Sequence, residues 1–259
     1  MSAKIAVRDL VSDYTAADGG TLSALGPVTF RIEAGSFVCL IGPSGSGKST
    51  LIRLLAGLQL PTRGQVWLDD KPVTQPVRRV GLMFQEANLM PWRTVLDNLA
   101  LPLELAGMAK DERLQTARAL LPSLGLVDFA EAFPGELSGG MAQRVALGRV
   151  LIQQPDVLLL DEPFGALDAL TREQISLDLL ALWGETQPTV VMVTHSIQEA
   201  ILLADRILVF SARPGCLTAD VTVPLPRPRQ LNDTYSEAFG EIAGQVRAAL
   251  NRAVSPVGL

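Results

Sequence analysis

A glycine-rich stretch near the start of the chain has the residue types and spacing of a phosphate-binding loop. The segment GPSGSGKS, residues 42–49, matches the pattern G-x-x-x-x-G-K-[ST], with an apolar run before it and a helical pattern after it. Glycines let backbone N–H groups converge on a phosphate, and the N-terminus of the following helix adds partial positive charge. We expect Lys48 to reach the β- and γ-phosphates of a nucleotide and the Ser49 hydroxyl to ligate Mg²⁺. The predicted phosphate-site residues are Gly42, Pro43, Ser44, Gly45, Ser46, Gly47, Lys48, Ser49 and Thr50.

A pair of carboxylates follows a second apolar run, in the segment DVLLLDE. The four apolar residues predict a buried strand, and Asp161 and Glu162 stand at its carboxyl end, where ligand sites of α/β proteins lie. We expect Asp161 to hold Mg²⁺, through water, and Glu162 to accept a proton from an attacking water. A strand that merely ends in two exposed acids is the alternative, and the phosphate loop elsewhere in the chain disfavours it.

Two more features could take part in the same chemistry. LSGGMAQR, residues 137–144, is a second glycine-rich stretch that opens into a helical pattern, yet it carries no lysine. The chain has one histidine, so any role that needs an imidazole falls to His195, which follows the apolar run TVVMV. A lone histidine is more often a packing residue, but this one ends a predicted strand downstream of the acids.

The elements that must position these residues alternate between strands and helices. Strand patterns run from the N-terminus to the phosphate loop, and helical spacing predominates from about residue 88 to 150. Strand–helix alternation then returns. This pattern predicts an α/β fold with a mainly parallel sheet and an inserted helical subdomain. The predicted divisions are a core of residues 1–87 and 151–225, a helical subdomain of 88–150, and a tail of 226–259 with a helix near 234–250. The apolar stripe expected on that helix consists of Tyr235, Phe239, Ile242, Val246 and Leu250.

Composition restricts the class of protein further. At 259 residues with 48% apolar content, the chain can bury a large core, yet no apolar run approaches the roughly 18–20 residues that cross a bilayer. The N-terminus lacks the apolar core of a signal peptide, which predicts a cytosolic location. A formal charge of −5 argues against broad nucleic-acid binding. Cys39 and Cys216 have neither metal-ligand spacing nor a disulfide pattern, and Cys39 is expected in the core.

Taken with the phosphate loop, the segments LSGGMAQR and LLLDEPFGALD and the pair Thr194-His195 resemble the ATP-binding cassette family of transport ATPases. The resemblance covers about residues 4–225 and implies an α/β fold of the P-loop NTPase (RecA-like) type, with N-terminal antiparallel strands beside the mainly parallel sheet core and its inserted helical subdomain. It implies that Tyr14 stacks on adenine, that Gln85 contacts Mg²⁺ and the attacking water, and that Asp168 crosses a dimer interface. A surface tyrosine and a helix-capping aspartate are the alternatives for Tyr14 and Asp168. The resemblance also implies that His195 forms a hydrogen bond with the γ-phosphate and helps to hold Glu162.

The resemblance gives the second glycine-rich stretch a function as well. Within one chain, Ser138, Gly139 and Gly140 are surplus to the binding of one ATP. The resemblance implies that they face the γ-phosphate held by a second copy, so that two chains enclose two nucleotides head to tail. A small-molecule kinase with a phosphate loop would leave this stretch unused.

The segment FQEANLMPWRTVLDNLALPLELAG resembles the importer subgroup for nitrate, sulfonate, taurine and bicarbonate, as do SARPG and PLPRPR. This implies an ATPase subunit at the cytoplasmic face of the membrane, with a homodimeric partner, integral membrane permease subunits and, indirectly, an external solute-binding protein. Residues 88–93, including Pro91 and Trp92, are expected to receive a permease helix, although Trp92 could simply fill the helical subdomain. The ATPase of an exporter or lipid-extraction system, and a soluble non-transport cassette, are the alternatives.

Overall fold

The computed structural model describes residues 2–15, 19–165 and 167–254. An antiparallel sheet at the N-terminus has the strand order β2-β1-β4-β5, and a second sheet has the order β10-β9-β3-β8-β7-β6. The strands are β1 (Ile5–Thr15), β2 (Thr21–Ile32), β3 (Phe37–Ile41), β4 (Arg63–Leu68), β5 (Lys71–Pro72), β6 (Val80–Met83), β7 (Val157–Asp161), β8 (Thr189–Val193), β9 (Arg206–Phe210) and β10 (Leu217–Thr222). The helices are α1 (Lys48–Leu55), α2 (Val95–Leu105), α3 (Lys110–Leu124), α4 (Gly139–Leu151), α5 (Ala169–Thr186), α6 (Ile197–Leu203) and α7 (Glu237–Val254).

The six-stranded sheet is parallel from β9 to β6, and only β10 pairs antiparallel, with β9. Its central strand β3 is buried on both faces, which is why FVCLI reads as an unbroken apolar run. Phe37, Cys39 and Ile41 pack into one core, whereas Val38 and Leu40 pack into the other, beneath the antiparallel sheet. Because the strands are parallel, β3, β7 and β8 end at the same edge of the sheet, where their following residues meet.

Helices α2, α3 and α4 lie between β6 and β7 in the chain and pack on one another. Gly148 permits the close approach: a Cβ there would lie 2.4 Å from Leu124 Cδ1 and 2.7 Å from Leu99 Cδ2. The fully buried side chain of Asn98 fixes the start of this unit, since its amide donates to the carbonyls of Met90, Arg93 and Thr94. These contacts fit the predicted helical subdomain, although the proposed division of the chain into domains stays a prediction.

The C-terminal segment returns to the body of the protein. Phe239, Ile242 and Val246 of α7 are buried, as the predicted apolar stripe requires. Tyr235 was expected on the same stripe, and this is wrong: it lies in a short 3-10 turn before α7 and is 88% exposed. Within the described residues, no helix combines the length and apolar character needed to cross a bilayer.

Candidate active site

The loop between β3 and α1 adopts the conformation that its glycines allow. Gly45 and Gly47 have φ values of +75° and +80°, in the left-handed region that other residues rarely adopt. A Cβ at Gly47 would lie 2.6 Å from the carbonyl oxygen of Ala24, and one at Gly42 would lie 2.7 Å from that of Phe210. The glycines are therefore required both by the turn and by the neighbouring strands that press against it.

Lys48, the first residue of α1, is buried inside this loop. Its ammonium donates to the carbonyl oxygens of Gly42 and Pro43, each at 2.9 Å, and to Ser46 Oγ at 3.1 Å. Burial lowers the pKa of Lys48, and the nearby carboxylates of Glu162 and Asp161 oppose that shift. The loop thus holds one desolvated cation at its centre.

Ser49 and Asp161 bring two oxygen donors together from α1 and β7. The Ser49 hydroxyl donates to Asp161 Oδ1 at 3.0 Å. Burial raises the pKa of Asp161, and the hydrogen bond from Ser49 opposes the shift. Mg²⁺ usually takes one or two protein oxygens and completes its octahedron with phosphate and water. Among the described residues there is no cluster of three acidic, histidine or cysteine ligands. The hydroxyl–carboxylate pair therefore fits a magnesium ion shared with a nucleotide.

Glu162 and His195 form the second polar pair of the site. His195 Nε2 lies 2.6 Å from Glu162 Oε1, and the imidazole must donate because an ionised carboxylate only accepts. Glu162 has a φ of +50°, a strained conformation for a residue with a side chain. Its backbone N–H donates to Val193 of β8 at 3.2 Å, which holds the turn after β7 in place. One carboxylate oxygen, Oε2, is left without His195 and can face a water.

Gln85 lies two residues beyond the end of β6 and is exposed. Its side chain lines a cavity of about 160 Å³ together with Glu162, His195, Arg172 and Glu199. Its carbonyl oxygen accepts a hydrogen bond of 2.8 Å from Gln143 Nε2 on α4. The structure therefore brings the predicted glutamine, carboxylate and histidine to one cavity.

Tyr14, near the end of β1, lines a neighbouring cavity of about 280 Å³ with the phosphate loop, Glu162 and His195. Its hydroxyl donates to Gln59 Oε1 at 3.0 Å and lies 3.0 Å from Thr50 Oγ1 on α1. These bonds hold the half-exposed ring beside the loop. The position suits a contact with the base of a nucleotide.

Ser138 and Asp168 are the N-caps of adjacent helices. Ser138 Oγ accepts from the Met141 N–H at 3.3 Å, and Asp168 accepts from the Thr171 N–H at 3.0 Å and from its hydroxyl at 2.6 Å. Gly140 allows α4 to approach α5, because a Cβ there would lie 2.6 Å from Thr171 Cγ2. In the described part of the chain, neither cap nor the glycines after Ser138 line the cavity around Lys48.

Sequence reasoning missed three side chains of this region. Arg213 lines the cavity around the phosphate loop. Arg172 donates to the carbonyls of Phe164 and Leu167, in the turn after Asp161 and Glu162. Glu199 is buried four residues after His195, where the Thr194 hydroxyl donates to it. Helical spacing after His195 could have indicated Glu199. Arg213 and Arg172 reach this region through tertiary contacts, which no local pattern shows.

A phosphate loop after a central parallel strand, with a carboxylate pair at the end of a neighbouring strand, defines a P-loop nucleotide hydrolase. Comparison with known proteins narrows this class. The family model described as ABC transporter matches residues 25–165.

Similar proteins cover most of the chain. The nitrate import ATP-binding protein NrtD of Synechocystis sp. is 46% identical over 218 residues, which are 83% of this chain and 82% of that protein. The aliphatic sulfonates import ATP-binding protein SsuB of Bacillus cereus is 43% identical, over 91% of this chain and 92% of that one. The taurine import ATP-binding protein TauB of Rhizobium johnstonii is 44% identical, over 92% and 93%. A solved dimeric ATP-binding cassette bound to ADP and Pi superposes with a TM-score of 0.76 at 34% identity, over 86% of this chain and all of that one.

The chain therefore belongs to the ABC transporter family, and it is an ATP-binding cassette ATPase that couples hydrolysis to transport. This confirms the predicted fold class, the ATP ligand and the family resemblance, including its importer subgroup.

Proposed function

We propose that this chain powers the uptake of a small anionic or zwitterionic solute, of the nitrate, sulfonate or taurine kind, through a separate membrane permease. The names of its relatives support this class of solute. In this proposal the chain sits at the cytoplasmic face of the membrane. An external solute-binding protein acts only through the permease, and nucleic acid is not a partner.

The observation that carries the proposed chemistry is the convergence of Lys48, Asp161, Glu162 and His195 at one edge of the sheet. Lys48 and the loop N–H groups hold the β- and γ-phosphates. Ser49 Oγ and Asp161 would hold Mg²⁺, and the ion would neutralise phosphate charge. Gln85 lines the other cavity, which shares Glu162 and His195 with that of Ser49, and is proposed to contact the same ion from there.

Glu162 is proposed to act as general base through Oε2, because Oε1 is engaged by His195. It accepts one proton of the attacking water while the water oxygen bonds to the γ-phosphorus and the bond to the bridging oxygen breaks. The products are ADP and phosphate. His195 is proposed to hold the carboxylate of Glu162 and to contact the γ-phosphate. Tyr14 is proposed to contact the adenine.

Ser138, Gly139, Gly140 and Asp168 are proposed to complete the site of a second copy. They stand at two capped helix N-termini, where backbone N–H groups attract an anion, yet they do not line the cavity of their own chain. The dimeric assembly of the solved cassettes supports this arrangement. The triphosphate charge would be neutralised fully only when the two chains close on it.

The permease is proposed to dock in a groove of about 660 Å³ between the segment after β6 and helices α2 and α4. Its walls include the apolar side chains of Phe84, Met90, Leu103 and Leu105. Phe84 and Leu105 are 44% and 78% exposed, which is unusual for large apolar residues without a partner. Within the described residues, neither Pro91 nor Trp92 lines this groove, and Trp92 is 71% exposed, so it does not fill the helical subdomain.

The test is Glu162→Gln, which should keep ATP binding while phosphate release falls by about 10²–10⁴-fold, the usual contribution of a general base. Light scattering should then show a dimer that forms only with ATP. Glu241→Gln, on the exposed face of α7, is the matched control and should behave as wild type. A mutant that hydrolyses ATP normally would exclude Glu162 as the base.

Ser138→Arg tests separately the binding of ATP by one chain and the proposed contact of Ser138 with the nucleotide of a second copy. It should leave ATP affinity of the dilute single chain unchanged and abolish the ATP-dependent dimer. Loss of single-chain affinity would refute the assignment of Ser138 to the neighbouring nucleotide. Recovery of a hydrophobic permease with the tagged chain supports transport, whereas recovery of ribosomes or nucleic acid would refute it.

A further inference from the structure

The loop between β9 and β10, residues 211–216, is fastened to β2 of the antiparallel sheet. Gly215 donates to the carbonyl of Ala24 and accepts from the N–H of Gly26, both at 3.0 Å. Within the loop, Ser211 Oγ accepts from the Cys216 N–H at 2.9 Å and donates to the Pro214 carbonyl at 3.1 Å. These bonds give the loop one conformation.

The same loop touches the phosphate loop directly. A Cβ at Gly215 would lie 1.9 Å from the carbonyl oxygen of Ser46, so only glycine allows this contact between the two backbones. The loop therefore forms a wall of the nucleotide cavity, and its backbone contacts with the phosphate loop and β2 hold that wall in place.

Arg213 extends from this wall to the tip of the phosphate loop. It is exposed, lines the cavity of about 280 Å³, and directs Nε to the Gly45 carbonyl at the long distance of 3.4 Å. Among the described ion pairs none includes Arg213. Its guanidinium has five N–H donors, and the part of the chain that the structure describes offers it one weak neutral acceptor. This cation is held next to an anion site without an anion of its own.

We propose that Arg213 donates to the phosphate chain of the bound nucleotide, as a second cation beside Lys48. The inference rests on the proposed nucleotide site and adds a residue to it. A guanidinium binds two phosphate oxygens at once with its planar fork, which an ammonium cannot reproduce. Lys48 is enclosed by the loop, whereas Arg213 reaches the phosphates from the open side, so the two cations enclose the chain of phosphates.

The experiment measures the affinity of the full chain for ADP and for a slowly hydrolysed ATP analogue, with Mg²⁺ and at nanomolar protein to keep the chain monomeric. Arg213→Ala should raise both Kd values about tenfold, in line with a charge-assisted hydrogen bond at a partly exposed site. Arg213→Lys should keep the charge and lose the fork, with a Kd between wild type and Arg213→Ala. The difference should shrink as salt rises from 0.05 to 0.5 M.

Arg247→Ala, an exposed arginine on α7, is the matched control and should leave both Kd values unchanged. Thermal melting of each variant checks that the loop still folds. Normal Kd values for a folded Arg213→Ala would overturn the inference. Normal Kd values with loss of the ATP-dependent dimer would also overturn it and would place the guanidinium against the second copy. Failure of the wild-type chain to bind either nucleotide would instead refute the proposed function.

Discussion

Asn98 offers a direct test of how the segment before α2 is held. Its side chain is fully buried, its amide donates to three carbonyls at 3.0–3.1 Å, and its Oδ1 accepts from the Met90 N–H at 2.8 Å. An amide group has two hydrogens, so the three donated contacts amount to two full hydrogen bonds, and the accepted one makes three. Asn98→Ala removes all of them and leaves backbone groups of residues 90–94 without this partner.

At about 1 kcal/mol for each net hydrogen bond, the free energy of unfolding should fall by about 3 kcal/mol. For a chain of this size, that corresponds to a melting temperature lower by roughly 6–12 °C. Because the lost bonds hold Met90, which lines the groove proposed to receive the permease, ATP hydrolysis by the isolated chain should persist while stimulation by the permease falls.

The assay is urea denaturation followed by tryptophan fluorescence, with phosphate release measured with and without permease in vesicles. Asn98→Asp keeps the acceptor for Met90 but directs a carboxylate at three carbonyl oxygens, so it should be less stable than Asn98→Ala. Asn232→Ala, at an exposed position, should change stability by less than about 0.5 kcal/mol. If Asn98→Ala unfolds at the urea concentration of the wild type, the hydrogen-bond reasoning is refuted.

Three further variants test other parts of the structure. His195→Ala should slow phosphate release by about 10²-fold, because Glu162 loses the donor that fixes Oε1, and unchanged release would contradict that role. Burial raises the pKa of Glu199 above its ordinary value of 4.5, so the folded chain holds this proton more tightly than the unfolded chain. That contribution to stability is lost as pH rises through the folded pKa. In urea denaturation, the free energy of unfolding of Glu199→Gln should therefore rise relative to that of the wild type between pH 5 and pH 8. A difference in stability that does not change with pH would be evidence against this reasoning. Arg229 is buried and donates to the carbonyls of Ile201 and Ala204 at 2.8 and 2.6 Å, so Arg229→Met should cost about 2 kcal/mol or more and expose residues 224–236 to proteases, whereas Arg247→Met should not.

The sequence was informative wherever local spacing determines both conformation and chemistry. The phosphate loop is one continuous segment, so its glycines, Lys48 and Ser49 could be predicted from a single pattern. The apolar runs before Asp161 and His195 predicted buried parallel strands, and parallel strands bring their carboxyl ends together. The fold class followed from the same alternation.

Features that depend on tertiary contact left no such pattern. Arg213 lines the nucleotide cavity on a loop whose Gly215 lies against the carbonyl of Ser46, a contact between segments far apart in the sequence. Tyr235 fits a helical apolar spacing, yet the helix begins after it, at Glu237, where Ser236 accepts the N–H of Phe239. Asn98 reads as a polar residue on a helix, and nothing local shows that its partners are a loop's backbone.

The hydrogen bonds made by α4 have a mechanical consequence. Gln143 donates a hydrogen bond to the carbonyl of Gln85, and Arg149 donates to those of Ala87 and Asn88 at 2.7 and 2.8 Å. Helix α4 is thus hydrogen-bonded at two points to residues 85–88, a segment that runs from the cavity lined by Gln85 to the groove proposed to receive the permease. Ser138 stands at the N-terminus of the same helix. In the proposed complex, a permease that displaces residues 85–88 would also move α4 and Ser138 at its N-terminus. Movement of the permease would then be coupled to the separation of the two ATPase subunits.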